Sequence, residues 1–131
     1  MSKRFFSIVV LLLLSGVNAQ AFIVWGPGND TCGRFMQERS ADSSRFHMEM
    51  SWIAGFVSAQ NQDFAVNALK KGINAQVDVD ILRGTDNAAL EAWIAQYCVA
   101  NPLKDLTVSA AALSKTLFDR LTERMKAAKP Q

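Results

Sequence analysis

The sequence predicts one small all-α domain, a bundle of about four helices closed by a single disulfide. Apolar residues recur at spacings of three and four in several segments, and residues that cap or break helices flank each segment. Half of the 131 residues are hydrophobic, which excludes a disordered or collagen-like chain. The chain has two cysteines, which suits one bridge with no thiol left over.

The first 21 residues have the composition of a secretory signal peptide. Two basic residues precede an apolar run of about ten residues, half of the roughly 20 that a bilayer-spanning helix needs. Small residues at Ala19 and Ala21 place cleavage after Ala21, and cleavage after Ala19 also fits. We therefore expect an exported protein whose mature domain is residues 22–131.

The charge of the mature chain argues against one class of partner. Loss of Lys3 and Arg4 leaves 12 basic side chains against the 12 acidic ones. A net charge this close to zero argues against a basic face that binds nucleic acid. No later segment is apolar and long enough to span a membrane. We expect no nucleic-acid binding and no stable membrane insertion after signal cleavage.

Export predicts that Cys32 and Cys98 are oxidised, because an exported chain folds in an oxidising compartment. A disulfide over this separation restricts the unfolded chain by about 4 kcal/mol in the loop-entropy description. A Cys-x-x-Cys redox motif is absent, and His47 is the only histidine that could join the cysteines around a metal. The sequence therefore predicts a Cys32–Cys98 disulfide and no metal site.

The first two helices follow an irregular lead-in, where a Gly-Pro-Gly run disfavours regular structure. Asp30 or Thr31 caps the first helix, which ends near Ser40. Asp42, Ser43 or Ser44 caps the second helix, which is predicted over about 44–62. Gly55 within it suggests the close approach of another backbone. Its apolar stripe consists of Phe46, Met50, Ile53 and Val57, with Trp52 and Phe56 beside it.

Residues 63–86 carry the weakest pattern. Phe64, Val66 and Leu69 allow the second helix to continue toward a glycine-marked end at Gly72. Residues 77–82 alternate like a short strand but are too few to require a sheet, so we expect a loop or an edge-like segment there.

Two further helices complete the bundle. Thr85 or Asp86 caps the third, predicted over about 87–100, and Pro102 ends it. The fourth follows at once and frays before residue 131. The predicted buried faces are Leu90, Trp93, Ile94, Tyr97 and Cys98 in the third helix, and Leu106, Ala110, Leu113, Leu117 and Leu121 in the fourth.

No constellation of residues indicates catalysis. His47 is the only candidate base near neutral pH, no nucleophile motif accompanies it, and we expect an ordinary surface or boundary residue. Asp78 and Asp80 could grip a cation, but the further oxygen ligands of a calcium loop are missing. We predict no catalytic activity and no cofactor.

Large apolar side chains are the better candidates for function. Trp25 lies in the lead-in beside other apolar residues, in a segment that must dock on the domain or on a partner. The other candidates form either the core or a contact surface for proteins. The full candidate set is Trp25, Phe46, Met50, Trp52, Phe56 and Trp93.

The sequences around both cysteines resemble one known family. Residues 31–35, Thr-Cys-Gly-Arg-Phe, resemble the Thr-Cys-x-x-Phe that opens the HdeA/HdeB family of periplasmic acid-stress chaperones. Residues 97–106, Tyr-Cys-Val-Ala-Asn-Pro-Leu-Lys-Asp-Leu, resemble the Tyr-Cys-x-x-Asn-Pro-x-Lys-x-Leu around the second cysteine of its HdeB branch. The loop between the cysteines is longer here than in the family, and residues 60–86 hold the extra length.

The resemblance implies a periplasmic helical domain that is a homodimer at neutral pH. In that family strong acid separates and partly unfolds the subunits, and the uncovered apolar surface keeps other periplasmic proteins soluble. Protonating the 12 carboxylates and His47 would take the mature chain from near zero to about +13, which favours such loosening. The expected partners are therefore unfolded periplasmic clients.

A second resemblance suggests a different class of function. Residues 52–56, Trp-Ile-Ala-Gly-Phe, resemble the aromatic-Gly-aromatic helix of the Rap1a/Tai immunity proteins. Such a protein would bind one folded toxin at neutral pH instead of many unfolded clients in acid. An accessory subunit of an envelope complex is a third alternative.

Overall fold

Four α-helices account for most of the residues that the computed structural model describes, which are 24–73 and 78–128. The helices are α1 (Cys32–Ser40), α2 (Ser44–Lys70), α3 (Asn87–Ala100) and α4 (Leu106–Ala127). The all-α prediction is confirmed. The Gly-Pro-Gly run was expected to stay irregular, but it contains a 3₁₀ turn at Pro27–Asn29. The predicted signal peptide lies outside the described residues.

The first three helices begin at capping residues that the sequence offered. The side chains of Thr31, Ser43 and Asp86 accept hydrogen bonds from the backbone N–H groups three residues later, at 3.2, 3.1 and 2.8 Å. Thr31 rather than Asp30 therefore caps α1. The third helix ends two residues before Pro102, within its predicted bounds. These short-range signals placed the helix starts correctly.

The second helix is eight residues longer than its primary prediction, since it ends at Lys70. Phe64 in this extension packs edge-to-face on Phe118 of α4, with ring centroids 4.3 Å apart. Gly72 then adopts a left-handed backbone with φ 78°, and the N–H of Ile73 donates to the carbonyl of Ala68 at 3.1 Å. The alternative in which the helix continues to this glycine is the correct one.

The loop that begins at residue 78 and leads into α3 is held by contacts with α2 and α4. Asp80 accepts hydrogen bonds from the N–H of Leu82 at 2.8 Å and from Asn61 of α2 at 2.9 Å. The Arg124 guanidinium of α4 donates to the Asp80 carbonyl at 2.6 Å. Ile81 is buried between these contacts. Residues 78–82 therefore form a loop, as expected, and residue 77 lies outside the described chain.

The predicted stripes meet in one core, with changes in α2 and α3. All five predicted positions of α4 are buried, as are Leu90, Ile94 and Cys98 of α3, whereas Trp93 and Tyr97 are only partly buried. Within the predicted span of α2 the buried positions are Phe46, Glu49, Ile53 and Val57, so the stripe contains Glu49 where Met50 was expected. Met50 is half-buried at the edge of the core.

The disulfide lies where α1 meets the loop between α3 and α4. Cys32 and Cys98 are bonded, with their Cα atoms 4.7 Å apart. The backbone N–H groups of Cys32 and Gly33 donate to the carbonyls of Lys104 and Pro102, each at 2.8 Å. The start of α1 is thus held to this loop by both covalent and hydrogen bonds. We call residues 101–104 the staple loop.

Gly55 does not make the close contact that its position in a helix suggested. An added Cβ there would meet no described atom within 4 Å, and the residue is exposed. The expectation of a close backbone approach is therefore wrong.

This open space predicts that Gly55→Ala stabilises the protein. Alanine fits the helical backbone, and we expect the free energy of unfolding to rise by about 1 kcal/mol. Urea denaturation followed by circular dichroism measures the change. A fall in stability would contradict the open environment of this residue.

Candidate protein-contact surfaces

The structure distributes the sequence-predicted contact residues over three places. Trp25, Trp52 and Phe56 lie where the lead-in segment (residues 24–31) crosses α2, while Phe46 and Met50 line a groove beside α3. Trp93 stacks on Tyr97 of its own helix, with ring centroids 5.5 Å apart. These residues therefore do not make one shared surface.

At the first place, the lead-in segment is seated on the ring of Trp52. Gly28 is buried there, and a Cβ on it would lie 2.4 Å from Trp52 Cζ2 and 2.7 Å from Thr107 Oγ1. Thr107 also donates a hydrogen bond to the Gly28 carbonyl at 2.9 Å. Only glycine fits this contact. The other side of Trp52 stacks on Phe56, with centroids 5.4 Å apart.

Trp25 stands out from this seated segment. Its residue is 85% exposed, although Gly26 beside it contacts Trp52. Tryptophan carries a large apolar area that is favourable to bury, and it is enriched at the energetic centres of protein interfaces. Trp25 is therefore a candidate anchor for another polypeptide.

The staple loop and the last turn of α3 each present one more exposed apolar side chain that the sequence did not single out. Leu103 is 90% exposed and Val99 is 71% exposed. Leu103 lies between Pro102 and Lys104, whose carbonyls are both bonded to α1. Its backbone is thus fixed while its side chain faces solvent. The sequence carried one usable signal, since Val99 falls outside the stripe that Cys98 belongs to.

The groove at the second place has an apolar floor and a charged rim. Its volume is about 770 Å³, and it lies between the end of α1, α2 and the start of α3. Phe46, Met50 and Ala54 supply the apolar floor. The Arg39–Glu91 ion pair, with Nε and Oε1 2.8 Å apart, closes part of the rim. Phe46 itself is only 7% exposed and packs on Phe35, so it is mainly a core residue.

His47 and Ser51 share this groove without forming a catalytic pair. The imidazole Nε2 of His47 lies 3.2 Å from Asp42 Oδ1, and both side chains are mostly exposed. Ser51 Oγ donates to the backbone carbonyl of His47 at 2.8 Å, not to its ring. A base must reach the hydroxyl proton of its nucleophile, and this hydrogen bond does not supply that contact. His47 is a surface residue, as expected.

The most unusual charged residue is Glu49, which sequence reasoning did not single out. Its side chain is fully buried, and neither carboxylate oxygen has a hydrogen-bond partner among the described residues. Burial, together with the negative charge of Asp30, raises the pKa of Glu49 from 4.5 to about 7, against the opposing effect of Arg45. The sequence held one signal for this burial, since Glu49 lies three residues after Phe46 and four residues before Ile53, on the same face of the helix.

Neither Asp78 nor Asp80 is free to bind a cation. Asp78 pairs with Arg83 at 3.0 Å and with Arg124 at 3.6 Å, and Asp80 is occupied by the loop contacts described above. Within residues 24–73 and 78–128, no three His, Cys, Asp or Glu side chains gather as a metal site would need. Nor does any helix in these ranges have the length and apolar character needed to cross a bilayer.

Comparison with known proteins identifies no relative of this chain. No protein-family model matches the chain, and neither a curated protein nor a solved structure matches it. The residues and surfaces described above are therefore the basis for assigning a function.

Proposed function

We propose that this chain is an exported, HdeA/HdeB-like protein that binds other polypeptides of the periplasm through exposed apolar side chains and keeps them soluble. The two cysteine-centred motifs support the family assignment, and the composition of residues 1–21 supports export. The mature chain acts without catalysis, cofactor or nucleic acid in this proposal. Its partners are unfolded clients and, at neutral pH, a second copy of itself.

The observation that carries the proposal is that large apolar side chains are exposed on a fixed backbone. Trp25 extends from a segment seated on Trp52, and Leu103 extends from a loop bonded to α1. A fixed backbone lowers the entropy lost on binding, so each apolar contact contributes more of its burial energy to affinity. Contacts of this kind do not require a defined client sequence, which suits a protein that binds many clients.

Strong acid would enlarge this surface. When the acidic side chains are neutral, the mature chain carries about +13, and self-repulsion favours expansion. The ion pairs that join elements, such as Arg39–Glu91 and Arg45–Asp30, lose their charge complementarity under the same conditions. The disulfide continues to connect α1 to α3, so expansion exposes apolar faces without full separation of the helices.

The direct test is client aggregation at about pH 2–3 and at pH 7, followed by light scattering. We expect the mature protein to suppress aggregation in acid and to do so much less at pH 7. Trp25→Ser combined with Leu103→Ser should weaken the suppression at least severalfold, because each substitution removes an apolar contact.

Leu69→Ser serves as the matched control, since Leu69 is also exposed but lies at the far end of α2. It should leave suppression unchanged. No suppression at either pH would refute the proposal. Equal losses in the control and the double variant would refute the assignment of the surface to Trp25 and Leu103.

One observation favours a second candidate, an inhibitor of a folded partner like the Rap1a/Tai immunity proteins. The groove floored by Phe46 and Met50 exists in the folded state, and its charged rim suits a specific protein surface better than many unfolded chains. Such a protein would bind one folded enzyme at neutral pH. A stoichiometric complex at pH 7 that Met50→Glu abolishes would favour this candidate.

A further inference from the structure

The lead-in segment contacts α2 and α4 through its backbone at two glycines. A Cβ on Gly26 would lie 3.7 Å from Cδ1 in the five-membered ring of Trp52, and a Cβ on Gly28 would lie 2.4 Å from Cζ2 in the six-membered ring. The segment therefore runs along the indole. The Gly28 carbonyl also accepts a hydrogen bond from Thr107 Oγ1 at 2.9 Å. At Gly28 the contact thus consists of a bare Cα and a carbonyl on the segment, and of an indole ring and a hydroxyl on the helices.

This docking buries little apolar area. Gly28 is the one buried residue among residues 24–31, whereas Trp25, the aromatic residue of the segment, is 85% exposed. A segment that served only to stabilise the fold would bury its large apolar side chain, because the burial free energy grows with the apolar area removed from water. A segment with few buried apolar contacts opens locally at a low free energy. We therefore expect the lead-in segment to detach more readily than the helices unfold.

The contacts of Asp30 set the limit of the part that can detach. The Asp30 carbonyl accepts from the N–H of Leu106 at 2.9 Å, and its carboxylate accepts from Arg45 Nε at 2.9 Å. Within residues 24–29, the hydrogen bond that reaches a helix is the one from Thr107 to the Gly28 carbonyl. Residues 24–29 can therefore leave α2 and α4 while the start of α1 stays in place.

A detached segment would leave the Trp52 ring and the Thr107 hydroxyl open to another polypeptide. The ring face packs on a Cα that carries no side chain, and the hydroxyl donates to a backbone carbonyl, so both groups match what any chain offers at a glycine. Unfolded chains expose such carbonyls, whereas folded proteins pair most of theirs internally. Glycine makes up about 7% of residues in proteins, so an unfolded chain offers many such positions.

We propose that Trp52 and Thr107 form a binding site for glycine-containing stretches of client polypeptides, and that the lead-in segment occupies this site in its own chain until a client replaces it. The role of the site rests on the client-binding function proposed above and names the chemistry that a client must offer. Release of the segment would also uncover the face of Trp52 opposite its stacking partner Phe56.

Peptide binding to the full mature protein tests the site at pH 7. Gly28→Ala opens it, because the added methyl group overlaps the Trp52 ring. The probe is a peptide with the sequence of residues 24–31, and its partner peptide has alanine at the position of Gly28. The indole ¹H–¹⁵N resonance of Trp52 reports binding.

We expect the glycine peptide to bind Gly28→Ala at least tenfold more tightly than the wild type. In the wild type the tethered segment competes at an effective concentration of about millimolar. The alanine peptide should bind Gly28→Ala at least tenfold more weakly than the glycine peptide does. Gly55→Ala is the matched control, since its added Cβ meets no described atom within 4 Å, and it should bind the peptides as the wild type does.

Three results would overturn the proposal. Equal binding of the two peptides would remove the requirement for glycine. A shifted Trp52 resonance in Gly28→Ala without binding of the glycine peptide would mean that the uncovered surface is not a site. A Trp52 resonance that is unchanged in Gly28→Ala would mean that docking does not depend on this glycine.

Thr107→Val provides a second variant, because valine keeps the side-chain size and removes the hydrogen bond to Gly28. A Cβ on Gly26 would lie 3.9 Å from Trp52 Nε1, so the docked segment shields the indole proton. We expect this proton to exchange with water severalfold faster in Thr107→Val than in the wild type. If Gly28→Ala does not fold, an unchanged exchange rate in Thr107→Val would by itself overturn the proposal.

Client aggregation distinguishes failure of this site from failure of the proposed function. We expect Gly28→Ala to suppress aggregation at pH 7 at least severalfold more than the wild type, while the wild type suppresses it at about pH 2–3. Suppression by the wild type in acid without a gain in Gly28→Ala at pH 7 would overturn the site alone. No suppression by the wild type in acid would refute the client-binding function, and the peptide titration would then decide whether the site binds a glycine-containing backbone.

Discussion

Replacing Cys32 and Cys98 with serine together is expected to lower the free energy of unfolding by about 4 kcal/mol. The bridge closes a separation of 66 residues, and its loss returns that loop's conformational freedom to the unfolded chain. The two hydrogen bonds from α1 to the staple loop remain, but they do not restrict the unfolded state. A domain of this size has a total stability on the order of 5–15 kcal/mol, so the bridge supplies a large share of it.

Urea denaturation at pH 7 measures this effect, and reduction of the wild type provides an independent control. Dithiothreitol should destabilise the wild type by a similar amount and leave the double serine variant unchanged. If the wild type had the same midpoint with and without reductant, the bridge would contribute nothing, and the role given to it in the fold would be wrong.

Phe35→Ala is expected to destabilise the protein by about 3–5 kcal/mol. Phe35 is fully buried beside the disulfide, and its ring centroid lies 5.6 Å from that of Phe46 on α2. Truncation removes the burial energy of the ring and leaves a cavity between α1 and α2 that the surrounding helices fill only in part. The loss should appear as a lower urea midpoint.

Val99→Ala is the matched control, because Val99 is largely exposed on the neighbouring α3. We expect it to change stability by less than about 0.5 kcal/mol. A cost below about 1 kcal/mol for Phe35→Ala would mean that α1 does not pack on the core through this ring.

The double serine variant and Phe35→Ala separate two contributions to the stability of α1 in the fold. The disulfide acts mainly on the unfolded chain, whereas Phe35 acts on the folded core. Loss of the disulfide should therefore leave native side-chain packing in place below the unfolding transition. Loss of Phe35 should loosen that packing even with the bridge intact.

Local signals in the sequence were enough to place most of the helices. Thr31, Ser43 and Asp86 are side chains that accept from the free N–H groups of a helix start, and Pro102 cannot continue a helix. The two cysteines also paired as the sequence predicted, because no other thiol competes. The helix boundaries depend on a few neighbouring residues, and the disulfide pairing follows from the number of cysteines.

The features that were missed depend on contacts between distant parts of the chain. The end of α2 is stabilised by the contact of Phe64 with Phe118, which is 54 residues away along the printed sequence. The burial of Glu49 depends on which elements cover that face of α2, and no local signal in the sequence specifies them. The groove and the exposure of Leu103 likewise depend on how the helices and the staple loop are arranged.

The buried Glu49 and the proposed acid response act in different pH ranges. Burial raises the pKa of Glu49 to about 7, so the stability linked to its proton is fully present below about pH 4.5 and is lost as the pH rises to about 7. Strong acid neutralises the remaining carboxylates and favours expansion. The free energy of unfolding should therefore rise as the pH falls from 7 toward 4.5 and decline again in strong acid.

The central claim is that Trp25 and Leu103 contact client polypeptides, and site-specific photo-crosslinking tests it most directly. A photoreactive phenylalanine derivative is placed at position 25, 103 or 69, and each protein is illuminated with one defined aggregating client at about pH 2–3. We expect covalent adducts from positions 25 and 103 and far fewer from position 69. Equal yields at the three positions, or adducts from position 69 alone, would contradict the claim.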